Sequence, residues 1–129
     1  GEAGMNQILL VAVGGAVGSV LRHLTNVWTV RLFGPGFPWG TLTVNLVGCF
    51  LMGVIVEVLA RRFGGAPELR LLLATGLLGG FTTFSAFSLD FAVLYGRGAL
   101  VQAFAYVAGS VVISIAALFL GMWLGKSLA

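Results

Sequence analysis

The sequence predicts an all-α membrane protein of four transmembrane helices, the third broken near its middle. The chain is 59% hydrophobic and only 9% charged over 129 residues, and its mean hydropathy is +1.07. That balance is a membrane composition. The apolar residues fall into runs of bilayer-crossing length, and about twenty residues per crossing makes four such runs. The third run is interrupted by Gly79-Gly80-Phe81-Thr82-Thr83-Phe84-Ser85-Ala86-Phe87-Ser88. Paired glycines and hydroxyl side chains there are a poor recipe for a continuous helix.

The first helix is predicted from about Asn6 to Arg31. The four residues ahead of Met5 read as a cloning remnant, leaving one transmembrane domain over 5–129. No cleavable signal is expected, since the run continues too far and lacks an Ala-x-Ala-like site. Gly14, Gly18 and Arg22 recur every four residues and share a face, and a small-xxx-small pair suits close helix packing. Arg22 has two readings: it snorkels to the interface, or it draws anions into a vestibule. The Pro/Gly-rich stretch Phe33–Gly40 is a turn, flanked by Trp28 and Trp39 at an expected membrane interface.

The second helix is predicted from about Thr41 to Arg62, with Thr41, Asn45, Cys49 and Gly53 on one stripe. A carboxamide in lipid is costly unless its donors and acceptor are used. Asn45 therefore either glues helices together or faces a wet path. Glu57 and Arg61 are spaced for an ion pair. The third span runs from about Leu69 to Tyr95. Its break is either a packing kink or a polar site at membrane depth, because backbone outside a helix must be satisfied by protein, water or an ion. Carbonyls freed over Gly79–Thr83 point along a half-helix C-terminus and suit a cation. The fourth helix, about Ala99 to Leu124, places Tyr106, Ser110 and Ser114 on one polar stripe.

Several function classes drop out. The acids are Glu2, Glu57, Glu68 and Asp90, and His23 is the one histidine. They form no nucleophile–base pair, metal cluster or phosphate loop, so no enzyme is expected. The seven basic residues are scattered singly, which argues against a nucleic-acid partner. One cysteine excludes an intrachain disulfide. What remains is a set of neutral donors, Asn45, Thr83, Tyr106, Ser110 and Ser114, beside phenylalanine rings whose edges carry partial positive charge. Such a set suits a small hydrated anion held loosely enough to leave. The charge bias is weak: Arg61, Arg62, Arg70 and Lys126 lie on one side, Arg31 and Arg97 on the other. A weak bias permits insertion both ways.

On three motifs the chain resembles the Fluc (CrcB) fluoride channels. They are Gly14-Gly15-x-x-Gly18-x-x-x-Arg22, Gly40-Thr41-Leu42-x-Val44-Asn45, and the interrupted stretch Gly79 to Ser88. The resemblance covers essentially the whole chain from Met5. It implies an antiparallel, dual-topology homodimer in the cell inner membrane that conducts fluoride passively along two pathways. It also implies a structural sodium ion on the two-fold axis, held by the carbonyls of Gly79 and Thr82 from both subunits. Asn45, Phe84 and Phe87 match the family's pore residues, and Tyr106, Ser110 and Ser114 its polar track. Thr83 adds a hydroxyl, and Arg22 takes a vestibule or structural role. Asp90 departs from the family, which usually has glutamate there. The competing readings are a proton-coupled four-helix transporter, which would want an acid within the first helix, and a non-transporting scaffold. A scaffold would explain the glycines but not the Tyr106–Ser110–Ser114 stripe.

Overall fold

The computed structural model describes residues 1–129. Four helical spans follow one another, Glu2–Phe33, Trp39–Arg62, Pro67–Gly96 and Leu100–Leu128, each long and apolar enough to cross a membrane. No strand is present. The boundaries differ from the sequence-based ones by about a turn at most. The first helix continues to Phe33 because the residue that stops it is Gly34, at φ 78°, a conformation glycine adopts without strain. The fourth runs past Gly125 to Leu128.

The outer surface is apolar on every helix. Ile8, Val13, Leu89, Val101, Val112, Phe119 and Trp123 are all exposed. Contiguous apolar surface of this kind is unfavourable in water and favourable in lipid. The protein is therefore a multi-pass membrane protein. At the first loop, Trp39 packs on Phe33 and Phe37, with ring centroids 5.6 and 4.7 Å apart. The Arg97 Nη2 donates to the Gly36 carbonyl at 2.8 Å and ties this loop to the end of the third span. The Glu57–Arg61 pair forms one turn apart at 2.9 Å.

The third span is broken as predicted, and it is irregular earlier than predicted. Residues Leu71–Leu78 form a π-helix, wider than the α-helix and common near functional sites. A short α turn, Gly79–Phe81, follows. Thr82 and Thr83 are then extended, at φ/ψ −84°/158° and −153°/124°, and an α-helix resumes over Phe84–Gly96. Nothing in the composition of Leu71-Leu72-Leu73-Ala74-Thr75-Gly76-Leu77-Leu78 marks a π-helix. The break also changes the partner of the span. The part before it packs on the first helix, and the part after it packs on the fourth.

Glycines set these crossings. A Cβ added at Gly14 would meet the Leu72 carbonyl, and one at Gly18 would meet the Leu77 carbonyl. The second and fourth helices cross the same way, with Gly53 against the Leu118 carbonyl and Gly121 against that of Phe50. In lipid, where the hydrophobic effect does not press helices together, such close backbone packing is a main source of cohesion. Gly18→Val is expected to force the first helix off the π-helical segment at a cost of about 1–3 kcal/mol. The check is the thermal unfolding midpoint in detergent; an unchanged midpoint would contradict this packing.

Candidate functional site

The break is held open from the second helix. The Asn45 Oδ1 accepts the Thr83 N–H at 2.8 Å, and its Nδ2 donates to the Thr83 carbonyl at 3.0 Å. The Thr83 side chain caps the resumed helix, its Oγ1 accepting the Ala86 N–H at 3.1 Å, as N-terminal caps do. These two diversions have a further consequence. In a continuing helix the Thr83 N–H would bond to the Gly79 carbonyl, and the Ala86 N–H to that of Thr82. Both donors are engaged elsewhere, so the Gly79 and Thr82 carbonyls lose their helical partners. From the first helix, Arg22 Nε donates to the Gly80 carbonyl at 3.1 Å. Its face is the one shared with Gly14 and Gly18, and its contact is with the broken backbone.

Beside the break lies a cavity of about 250 Å³. Asn45 and Cys49 of the second helix, Thr82 and Thr83 of the break, Phe84 and Phe87 of the resumed helix, and Ser110 and Ser114 of the fourth line it. No lining residue is charged. Several hydroxyls of the spans are satisfied by the preceding turn. Thr25, Thr43, Thr82, Ser88 and Ser127 each donate to the carbonyl four residues back, at 2.7–3.2 Å. Ser110 and Ser114 do not: both Oγ atoms are buried without a protein partner. A hydroxyl could hide on its own helix cheaply. Two that fail to do so, one turn apart on one cavity wall, are donors available to an occupant.

The aromatic groups continue from this cavity. The Phe84 and Phe87 rings are 5.7 Å apart, and Phe87 packs on Tyr106 at 5.1 Å. Tyr106 is 2% exposed and is not part of the cavity lining. Of the predicted stripe, the two serines reach the cavity and the tyrosine packs behind Phe87. Its hydroxyl donates to Asp90 Oδ2 at 3.1 Å. Asp90 lines a second cavity of about 330 Å³, under the first loop, together with Thr41, Phe37, Asn26 and Arg97. On two elements the two cavities are one turn apart, Asn45 and Thr41 on the second helix and Phe87 and Asp90 on the third span. Tyr106 touches a wall residue of each. Thr41 was readable from its place on the Asn45 stripe. Phe37, whose ring meets Tyr106 edge-on at 5.5 Å, carries no sequence signal, being a loop aromatic.

The sequence profile of the family described as "CrcB-like protein, Camphor Resistance (CrcB)" matches residues 9–122. The chain belongs to this family. Its CrcB relatives include proteins named "Fluoride-specific ion channel FluC" from Mesorhizobium japonicum and Agrobacterium fabrum. Each is 58% identical over 124 residues, covering 96% of this chain and 99% of the relative. The corresponding protein of Chelativorans sp. is 58% identical over the same shares. The CrcB resemblance read from the sequence therefore holds over nearly the whole chain. These relatives are named as channels, not as enzymes or proton-coupled transporters.

Proposed function

We propose that this protein is a fluoride channel, exporting the anion passively and conferring resistance to fluoride in the cytoplasm. The observation that carries the reading is the pair of buried, unpartnered Ser110 and Ser114 hydroxyls, sharing an uncharged cavity with Asn45, Phe84 and Phe87. Fluoride is small and strongly hydrated, so its water must be replaced to let it pass. Hydroxyl and amide donors do this, and ring edges add a diffuse positive field. With no charged side chain in the lining, the ion is not trapped. In an acidified setting fluoride enters as neutral HF and dissociates inside. A potential negative inside then drives the anion out with about 2.3 kcal/mol per 100 mV. The test is fluoride efflux from liposomes, with and without an ionophore that clamps the voltage. A flux that ignores the imposed potential, or that equals protein-free liposomes, would refute a passive channel.

The proposed assembly is an antiparallel homodimer in the cell inner membrane. Four helices are too few to enclose a pore comfortably, and the weak charge bias permits both orientations. Adding two lysines to the first loop is expected to fix one orientation and remove fluoride flux. Full flux from a variant shown to have one topology, expressed alone, would overturn this.

Sodium fits the break as a structural ion. The donor set is the Gly79 and Thr82 carbonyls, left without helical N–H partners by Asn45 and by the Thr83 cap, and hard oxygen donors suit a hard cation. When bound, the ion would neutralise these carbonyl dipoles. The chain's part is to hold the break in place, through Asn45 on one side and Arg22 on the other. Exchange of sodium for a large organic cation is expected to lower dimer stability, measured as the monomer fraction by size exclusion. No change after prolonged exchange would count against the site.

A further inference from the structure

Cys49 stands one turn from Asn45 on the second helix, and its thiol side chain lines the cavity at the break. It is partly exposed and is the one cysteine of the chain, so no disulfide within the chain can consume it. The second observation is on the fourth helix. Ser110 is 5% exposed, lines the same cavity, and its Oγ has no protein partner. Buried polar groups of this kind are met by a polar occupant, so the cavity admits water and small polar species rather than lipid chains.

We infer that Cys49 is a reachable thiol in the anion path and a binding site for small thiophilic cations, whose capture there obstructs fluoride. This rests on the proposed channel function. Sulfur ligands select soft metals over the hard cations that oxygen donors prefer. No cluster of three or more His, Cys, Asp or Glu side chains is present, so the ligand class is a monofunctional soft ion such as methylmercury. The sulfur–hydrogen bond breaks, a sulfur–mercury bond forms, and the proton passes to water together with release of the halide on mercury. The product is an uncharged, bulky group beside Asn45, Ser114 and Phe87, filling space that the donors otherwise leave to an anion.

The experiment treats the intact protein in liposomes with methylmercury chloride and follows two readouts, mass and fluoride efflux. One methylmercury is expected per chain, efflux is expected to fall about tenfold because a single-file path has no detour, and dithiothreitol is expected to restore it. Cys49→Ser is expected to take up no mercury, and its own efflux is expected to be insensitive to the reagent. Labelling of the folded protein without loss of efflux would overturn the inference by placing the thiol off the path. Labelling only after denaturation would overturn it by showing the cavity closed to the ion, and equal inhibition of Cys49→Ser would overturn it by locating the effect elsewhere. The channel function itself is judged on untreated protein, so its failure is read separately from these outcomes.

Discussion

Asn45→Asp is expected to stop fluoride efflux while leaving the protein assembled. The substitution nearly preserves shape, and a carboxylate oxygen can still accept the Thr83 N–H that Asn45 Oδ1 accepts at 2.8 Å. Two things change. The donor to the Thr83 carbonyl, now at 3.0 Å, is lost and two acceptors face each other. A negative charge also enters a cavity with no charged residue in its lining. At about 4 Å and an effective dielectric constant of about 20, two like charges repel by about 4 kcal/mol. That lowers anion occupancy by roughly a thousandfold. The lost hydrogen bond contributes less, since interhelical hydrogen bonds in membranes average about 0.6 kcal/mol. Electrostatics therefore dominates, and flux falls far more than stability. The measurement is efflux normalised to correctly assembled protein. Near-normal flux would refute the assigned path.

The sequence carried the existence of the break but not its cause. Gly79-Gly80 and the hydroxyls that follow announce a weak helix, and that is a local property. What opens the backbone at Thr82 and Thr83 is a side chain 38 residues away, bonded to both the N–H and the carbonyl of Thr83. Asn45 was legible as a carboxamide that needs partners, but not as to which: the amide bonds across helices to the break, and the residue also lines the cavity. Arg22 was legible as a face but not as a partner. Its contact, the Gly80 carbonyl, becomes available only once the third span has left regular helix geometry. The π-helical segment was not legible at all, because its leucines fit any apolar helix, and its close approach to Gly14 and Gly18 joins residues far apart in the chain. The serine stripe was readable from four-residue spacing. That Tyr106 would turn to Asp90 instead of the cavity depended on the partner exchange at the break, which brings the Phe84–Gly96 helix against the fourth.

Phe84→Ile is expected to cut fluoride flux strongly, by about tenfold or more, if ring edges contribute to the path. Isoleucine keeps apolar bulk and removes the ring quadrupole. Phe84 is the cleaner of the two phenylalanines to test. It is 78% exposed within the single chain and its one ring neighbour is Phe87, at 5.7 Å. Its truncation therefore removes little packing inside the subunit. Phe87 also supports Tyr106 at 5.1 Å, so Phe87→Ile combines lost ring electrostatics with a loosened Tyr106 and its bond to Asp90. Both variants are expected to lose flux, but only Phe87→Ile is expected to lower the thermal unfolding midpoint. Phe84→Tyr keeps the ring and is expected to retain most of the flux. If the two phenylalanines only pack, the order reverses: destabilisation without specific loss of flux, and no advantage of tyrosine over isoleucine at position 84. The discriminating measurement is fluoride efflux per assembled protein set beside the unfolding midpoint of the same preparation. A Phe84→Ile protein with normal flux would remove the rings from the path and leave the amide and the two serine hydroxyls as its donors.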